Sequence, residues 1–323
     1  MIKRITTILN TKYPLIQAPM SWMTDATLVA AVSEADGLGV LGPNAGQNEP
    51  AKSAVDAAEK MRYEISKVRQ LTNYPFGINI LPPAVGESLT EHDFTRELLT
   101  VAFAEQIKVY VVVGALNVEV FNLIKAHGGT IVYRPLTPTI DVMQRAEQLG
   151  ADILVATGSD EGGVLPIQEY GTFTVVSAMV DAVKLPVMAA GGINDARGVK
   201  AAFALGAAGV YVGSRFLMTQ ESRMNTAAKQ RVLQATHADI VRVSTDQRSL
   251  VTAASQRFNE QWLNHEHIAD LDQQISDAGG LRPAMLAGQL DVGIIQVNVG
   301  VETLNDVPTV AQLVQRLMTT AQD

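Results

Sequence analysis

The sequence predicts an α/β fold, a (β/α)8 TIM barrel with a C-terminal helical insertion. Short apolar segments alternate with helical ones along most of the 323 residues, and this alternation favours a parallel sheet. Within residues 185–216, two consecutive predicted strands each run into a glycine-containing loop that leads toward a helix. Two adjacent loops of this kind form the phosphate-binding end of many eight-stranded barrels. The rest of the chain should therefore supply six more strand and helix units.

Eight apolar segments fit the strands of such a barrel. They are residues 15–20, 38–41, 76–80, 109–113, 130–133, 153–156, 186–190 and 209–212. Helices are predicted at about 26–35, 91–104, 139–149, 195–205 and 308–321. Asp25 can cap the first of these helices and Gly37 can end it.

The alternation of strands and helices breaks after Phe216. The segment that follows, to about residue 266, is polar and helical in character, and no linker rich in Pro, Gly or Ser precedes it. We therefore divide the chain into a barrel at 1–220, a helical insertion or lid at 221–290, and a closing segment with the last barrel helix at 291–323.

Composition excludes several classes of protein. The net charge of −8 and the isoelectric point near 5.2 argue against nucleic acid or an anionic membrane as partner. The absence of cysteine excludes disulfides, thiolate metal sites and cysteine nucleophiles. Apolar runs such as 109–113 are too short to span a bilayer, and the N-terminal segment lacks the apolar core of a signal peptide. We expect a cytoplasmic protein.

The five histidines do not form the pattern of a metal site. His265 and His267 are the close pair, and their spacing puts them on different faces of a helix. None of the five follows a predicted strand where a catalytic loop is expected. We therefore expect no metal ligands and no histidine relay that would activate a nucleophile.

The two glycine loops predict a phosphate site. Gly191 and Gly192 follow the seventh predicted strand, and Gly213 and Ser214 follow the eighth. Glycine allows close approach of a ligand to the backbone, and exposed N–H groups at a helix start favour an anion. The alternative is that these glycines serve only tight turns and close helix packing.

A second candidate loop follows the sixth predicted strand and reads TGSDEGGVLP. In this loop Asp160 and Glu161 precede Gly162 and Gly163. The glycines could admit a flat or phosphorylated ligand while a carboxylate orients it. A solvated acidic turn explains the same residues equally well, and neighbouring loop carboxylates need not point the same way.

Four segments resemble one known family. They are PLIQAPMSWMTDATLVAAVSEADGLGVLG, FGINI, TGSDEGGV and AAGGINDARGVKAAFALGAAGVYVGSRF. All four are similar to the nitronate monooxygenase family, formerly 2-nitropropane dioxygenase. That family also contains the FMN-dependent enoyl-acyl-carrier-protein reductase II enzymes. The resemblance covers about residues 12–220, and it implies that this part of the chain forms an FMN-binding barrel.

The resemblance implies a set of cofactor contacts. The backbone of Ala18, Pro19 and Met20 would face the isoalloxazine, and Asn79 would hydrogen-bond the flavin. Arg134 stands near a position where relatives often have Lys, and it could pair with the phosphate or ribityl side. The phosphate would be held by N–H groups and a hydroxyl of Gly162, Gly163, Gly191, Gly192, Gly213 and Ser214.

One departure from the family leaves the catalytic residue unknown. The family loop reads Gly-x-Glu-Ala/Ser-Gly-Gly-His, and its histidine serves as a base or contacts substrate. Here Val164 stands at the histidine position and Asp160 at the glutamate. Valine can neither abstract a proton nor donate a hydrogen bond. Asp160 and Glu161 are the remaining candidates.

These observations predict an FMN-dependent oxidoreductase with a small-molecule substrate. Electrons would pass from NAD(P)H or a substrate through FMN to O2, a quinone or an activated alkene. The alternatives are an enoyl-acyl-carrier-protein reductase II, a non-catalytic flavin-binding protein, or a barrel that binds another phosphate without flavin. The acceptor, the choice of NADH or NADPH and the oligomeric state, for which a homodimer is one candidate, stay open.

Overall fold

In the computed structural model, which describes residues 2–319, eight parallel strands form a barrel that an isolated bridge between Ile16 and Leu38 closes. The strands are β1 (Leu15–Gln17), β2 (Gly39–Leu41), β3 (Phe76–Ile80), β4 (Val109–Val113), β5 (Thr130–Arg134), β6 (Ile153–Thr157), β7 (Val187–Ala190) and β8 (Gly209–Val212). Each strand from β2 to β8 pairs in parallel with the next, and β8 pairs with β1. Between β1 and β2, Leu38 donates to the carbonyl of Leu15 at 2.9 Å and accepts from Gln17 at 3.0 Å. The predicted fold class is confirmed.

Three strands end at a different residue than predicted, and two others, β2 and β7, begin one residue later than predicted. β1 ends at Gln17 rather than at residue 20, since Pro19 has no N–H with which to continue the ladder. β5 and β6 each extend one residue further than predicted, to Arg134 and Thr157. Both added residues are paired with a neighbouring strand, Arg134 with Val113 and Thr157 with Ala190.

Helices flank the barrel strands, cover one end of the barrel and make up much of the segment 221–290. They are α1 (Ile2–Leu9), α2 (Ala26–Glu34), α3 (Ala54–Leu71), α4 (Asp93–Ala104), α5 (Val118–Ala126), α6 (Ile140–Gln148), α7 (Thr172–Ala182), α8 (Ala196–Ala204), α9 (Ser214–Leu217), α10 (Thr226–Leu233), α11 (Ala253–Leu263), α12 (Leu271–Asp277) and α13 (Val310–Met318). Asp25 caps α2 by accepting from the Leu28 N–H at 2.9 Å, as predicted. Among residues 2–319, no helix is long and apolar enough to cross a membrane.

Side chains alternate between two cores along each strand. Val109 and Val111 point into the barrel, whereas Tyr110 and Val112 pack against the surrounding helices. This two-residue period follows from strand geometry. At the last or next-to-last position, the inward register is occupied by polar side chains on four strands: Asn79, Arg134, Thr157 and Tyr211.

The N-terminal helix α1, which the sequence analysis did not predict, closes the other end of the barrel. Its Ile5 and Leu9 are fully buried and pack with the inward-facing residues, including Ile16 and Met188. The bottom of the barrel is therefore sealed by apolar contact, and access to its interior lies at the carboxyl ends of the strands.

The segment 221–290, for which the sequence predicts a helical insertion, contains α10, α11 and α12 and also a hairpin that was not predicted. Strands β9 (Ile240–Arg242) and β10 (Arg248–Leu250) pair antiparallel between α10 and α11. Each strand has only three residues and a charged member, so no alternating apolar pattern marks it in the sequence. A π-helical turn over Arg282–Leu286 follows α12.

Residues 291–309 pass over the barrel before the chain returns to it. Ile295, Val297 and Val301 are buried against Leu217 of α9 and Met285 of the π-helical turn. α13 then packs against both α2 and α8, which places it among the helices around the barrel. The predicted end of this helix at residue 321 lies outside the described residues.

Truncating Leu9 to Ala should destabilise the protein by about 2–5 kcal/mol, because it opens a cavity between α1 and the barrel interior. The loss should appear as a lower urea midpoint at an unchanged slope. The surface substitution Val55→Ala, at a residue 58% exposed, is the matched control and should change stability by less than about 0.5 kcal/mol. Equal stabilities for the two variants would contradict the sealing contact of α1.

Candidate active site

A cavity of about 520 Å³ opens at the carboxyl ends of the barrel strands. Small-molecule sites occupy roughly 300–1,000 Å³, and in barrels of this fold they lie at this end. Its floor is the inward polar layer at the strand ends. Its walls are the loops after β1, β6, β7 and β8, and part of its roof comes from Leu281, Met285, Gln296 and Asn298 of the chain after the barrel.

The structure brings all the predicted cofactor residues together around this cavity. Its lining includes Ala18, Pro19, Met20, Asn79, Arg134, Gly162, Gly163, Gly191, Gly192, Gly213 and Ser214. Glu161 and Val164 line it as well, whereas Asp160 does not. Residues up to about 200 positions apart in the chain therefore share one site.

The loops after β7 and β8 present unused backbone donors to the cavity. Among the hydrogen bonds of residues 2–319, none uses the N–H of Gly192, Gly213 or Ser214. Gly192 has a φ of +70°, a backbone conformation that glycine adopts without strain. Three unpaired amides at two neighbouring strand ends form a concave set of donors suited to an anion.

The start of α8 does not contribute to this set of donors. Asp195 accepts from the N–H groups of Arg197 and Gly198 at 2.9 and 3.2 Å. Its side chain thus occupies the helix start that the sequence analysis offered to an anion. The donors available to a phosphate are the loop amides rather than the first turn of α8.

Two of the site glycines are also required by packing. A Cβ on Gly162 would lie 2.2 Å from the backbone carbon of Val297, and one on Gly191 would lie 2.7 Å from Thr172 Oγ1. A Cβ on Gly213 would meet only ordinary contacts, the nearest at 3.6 Å. The alternative explanation by close packing therefore accounts for Gly162 and Gly191 but leaves Gly213 without a structural requirement.

The two acidic residues of the loop after β6 point in different directions. Asp160 accepts from the N–H of Thr172 at 2.6 Å and so satisfies a donor at the start of α7. Glu161 turns into the cavity, where its Oε2 accepts from Arg134 Nη2 at 2.5 Å. Of the two candidates, only Glu161 reaches the site.

Arg134 and Glu161 form a buried ion pair at the cavity floor. Their side chains are 8% and 12% exposed, and Arg134 Nε also donates to Thr157 Oγ1 at 3.1 Å. Glu161 Oε1 is buried and has no hydrogen-bond partner within the described part of the chain. Burial raises the pKa of Glu161 to about 7, although Arg134 and Arg248 both act to lower it.

Asn79 has a fixed orientation beside this pair. It is buried, and its Nδ2 donates to the carbonyl of Val111 on β4 at 2.7 Å. This bond sets which way the amide points. Tyr211 also lines the cavity, and burial raises its pKa above the ordinary value of 10. No group of three or more acidic or histidine side chains in residues 2–319 is arranged to hold a metal ion.

Asn298 ties the roof of the cavity to the barrel, and sequence reasoning did not find it. It exchanges two amide hydrogen bonds with Asn194 after β7, at 2.7 and 2.9 Å. Its backbone N–H donates to Ser214 Oγ after β8 at 2.9 Å. The only signal in the sequence is the glycine-containing VNVG segment, whose partners lie more than 80 positions away.

The mouth of the cavity is apolar on one side. Leu81, Leu136 and Val164 line it and remain 47%, 38% and 38% exposed. They come from the loops after β3, β5 and β6. Val164, at the position of the family histidine, therefore borders the entrance as a hydrophobic contact.

Comparison with known proteins gives consistent results. The family model described as nitronate monooxygenase matches residues 3–320. A probable nitronate monooxygenase of Staphylococcus haemolyticus (strain JCSC1435) is 30% identical, over 89% of this chain and 84% of that protein. FabK from Thermotoga maritima superposes with a TM-score of 0.84 at 28% identity, covering 98% of this chain and 94% of that one. A nitroalkane oxidase from Streptomyces ansochromogenes shares the fold, with a TM-score of 0.76 at 23% identity over 97% of each chain.

Fold and site together define a barrel enzyme of the flavin-dependent oxidoreductase class. The family model covers nearly the whole chain, and the relative from Staphylococcus haemolyticus matches most of it. The chain belongs to the nitronate monooxygenase family, as its sequence motifs predicted.

Replacing Glu161 by Gln should make the protein more stable at high pH. The unfolded chain ionises this carboxyl near 4.5, whereas the folded protein ionises it near 7. As pH rises from 4.5 to about 7, the free energy of unfolding of wild type should therefore fall by up to about 3 kcal/mol relative to that of the variant. Above about pH 7 this difference should stay constant. Urea unfolding of both proteins at pH 5 and pH 8 measures the difference, and a gap that narrows toward pH 8 would contradict the raised pKa.

Proposed function

We propose that the flavin is FMN and that its phosphate binds to the unpaired N–H groups of Gly192, Gly213 and Ser214. The observation that carries this proposal is the convergence of those three amides from two adjacent strand ends on one cavity. A phosphate dianion suits such donors because each N–H can bond one of its oxygens. The cavity volume of about 520 Å³ is also in the range for a cofactor.

The remaining contacts follow from the residues that line the same cavity. The backbone of Ala18, Pro19 and Met20 would border the ring system, and Asn79 would hydrogen-bond it. Arg134 would place a positive charge nearby that the buried Glu161 partly neutralises. When bound, FMN supplies the redox chemistry, while the protein binds, orients and shields it. The residues of the roof, including Met285, would exclude water from the reacting groups.

We propose NAD(P)H or the substrate itself as the electron donor, and O2, a quinone or an activated alkene as the acceptor. An enoyl-acyl-carrier-protein reductase is the second candidate, supported by the similarity to FabK over 98% of this chain. A non-catalytic flavin-binding protein is the third candidate, supported by Val164 at the position of the family histidine. A homodimer and a cytoplasmic location stay predictions from the sequence.

An absorbance spectrum of the purified protein, before and after anaerobic addition of NADH or NADPH, tests this function. We expect flavin bands that bleach on reduction. Flavin bands that persist with both nucleotides would favour the non-catalytic flavin-binding protein or a reductant other than a nicotinamide nucleotide. A colourless protein that does not take up added FMN would contradict the proposed cofactor.

Substituting Gly213 by Val should abolish FMN binding and leave the fold intact. The added side chain would stand beside the unpaired amides, yet its Cβ meets only ordinary contacts in the protein. Gly171→Ala is the control, since a Cβ there would lie 3.7 Å from Asp160 outside the cavity. Flavin content after reconstitution and the far-UV circular dichroism spectrum measure the two effects. Full flavin occupancy in Gly213→Val would remove this loop from the phosphate site.

A further inference from the structure

Proton transfer in this cavity depends on very few side chains. Among the described residues that line it, those that ionise are Arg134, Glu161 and Tyr211. Arginine stays protonated throughout the physiological range, and burial keeps the Tyr211 hydroxyl protonated. Val164 cannot exchange a proton. A reaction that needs a base in this site must therefore use Glu161, bound solvent or the substrate itself.

We propose that Glu161 is the proton-accepting catalytic residue of this site, held in place by Arg134, and that it removes the α-proton from neutral carbon acids such as nitroalkanes. The proposal rests on the proposed function in one respect, because it places the flavin in the same cavity. It assigns to residue 161 a task for which the family loop has a histidine three positions later. The family loop has only Ala or Ser at the position of Glu161.

The geometry supports a reactive carboxylate rather than a structural ion pair. One oxygen of Glu161 is held by Arg134 at 2.5 Å, and the other is buried without a partner among residues 2–319. A pair that served stability alone would be expected to satisfy both oxygens, because an unpaired buried acceptor costs free energy. The unpaired oxygen gives the carboxylate a free site at which a proton can be received.

The charges around Glu161 come from several elements. Arg134 on β5 contacts it directly, and Tyr211 on β8 lies near it. Arg248 on β10 acts on it from the hairpin, where it donates to the carbonyl of Ser159 at 2.6 Å and to Glu169 at 2.7 Å. The neighbouring Asp160 is turned away toward α7. Burial outweighs these cations and sets the pKa near 7, which suits a base at neutral pH.

The proposed step balances without an oxidant. The α C–H bond of the nitroalkane breaks, and its electron pair moves into the nitro group to give the nitronate. The proton forms an O–H bond on Glu161 and then passes to solvent. The nitronate is the substrate class from which the family takes its name, so the step would allow this chain to use the neutral acid as well.

Deuterium exchange measures this step apart from any redox turnover. The FMN-loaded protein is incubated anaerobically with nitroethane in D2O, and loss of the α-proton signal is followed by NMR. Wild type should exchange faster than buffer alone, with a rate that rises through about pH 7. Glu161→Gln should lower the protein-dependent rate at least about 100-fold. Glu59→Gln on α3, at a side chain 57% exposed, is the matched control and should exchange like wild type.

The outcomes separate this proposal from the proposed function. Glu161→Gln keeps an acceptor for Arg134, and its flavin content and circular dichroism show whether it is folded and loaded. Exchange in Glu161→Gln at the wild-type rate, or none above buffer in wild type, would overturn the proposal. Failure of the proposed function would instead show as absence of flavin in wild type, which the absorbance spectrum reads without substrate.

Arg134→Gln tests the positioning residue. Loss of the guanidinium removes a charge that stabilises the ionised carboxylate, so the pH at half-maximal exchange should move upward by about one unit or more. A smaller rate at an unshifted midpoint would mean that Arg134 affects the fold or cofactor rather than Glu161, and would remove Arg134 from the proposal.

Discussion

Closure of the parallel barrel is the constraint on which the rest of this structure depends. All eight strands run in one direction, so their carboxyl ends form a single rim, and the hydrogen bonds between β1 and Leu38, the residue before β2, close the sheet into a ring. α1 seals the opposite end with Ile5 and Leu9. A group inside the barrel can therefore contact solvent or a ligand only at the carboxyl ends of the strands. The inward polar layer, from Asn79 to Tyr211, lies at these ends because strand side chains alternate with a period of two.

The charged floor of the cavity has an energetic cost that the surrounding structure offsets only in part. Burial of Glu161 disfavours its charged form, and the positive charges of Arg134 and Arg248 offset part of this effect. The balance leaves an acid that titrates near neutral pH inside a site lined largely by apolar and backbone groups. A buried ion pair of this kind is typical of a functional site, because a well-packed hydrophobic pair in its place would stabilise the fold better.

The segment after the barrel acts on the site through long-range contacts. Asn298 joins the loops after β7 and β8 by way of Asn194 and Ser214, and the β10 hairpin holds the loop after β6 through Arg248. Each contact is a directional hydrogen bond, between two side-chain amides (Asn194), to a hydroxyl (Ser214) or to a backbone carbonyl (Ser159). These contacts explain how the segment that follows the barrel strands forms part of the cavity wall.

The sequence by itself determined the eight strands, the glycine loops, the cap at Asp25 and the family, because each depends on residues that are close together in the chain. All the residues that the sequence predicted as cofactor contacts line the cavity. Only the tertiary structure decided that Asp160 faces α7 while Glu161 faces the cavity, that Asp195 occupies the start of α8, and that Asn298 reaches Asn194. Neighbouring loop side chains differ in direction according to what packs around them, and partners about 100 positions apart leave no local pattern. The β9 and β10 hairpin was missed for a related reason, since three-residue strands are specified by the contacts they make.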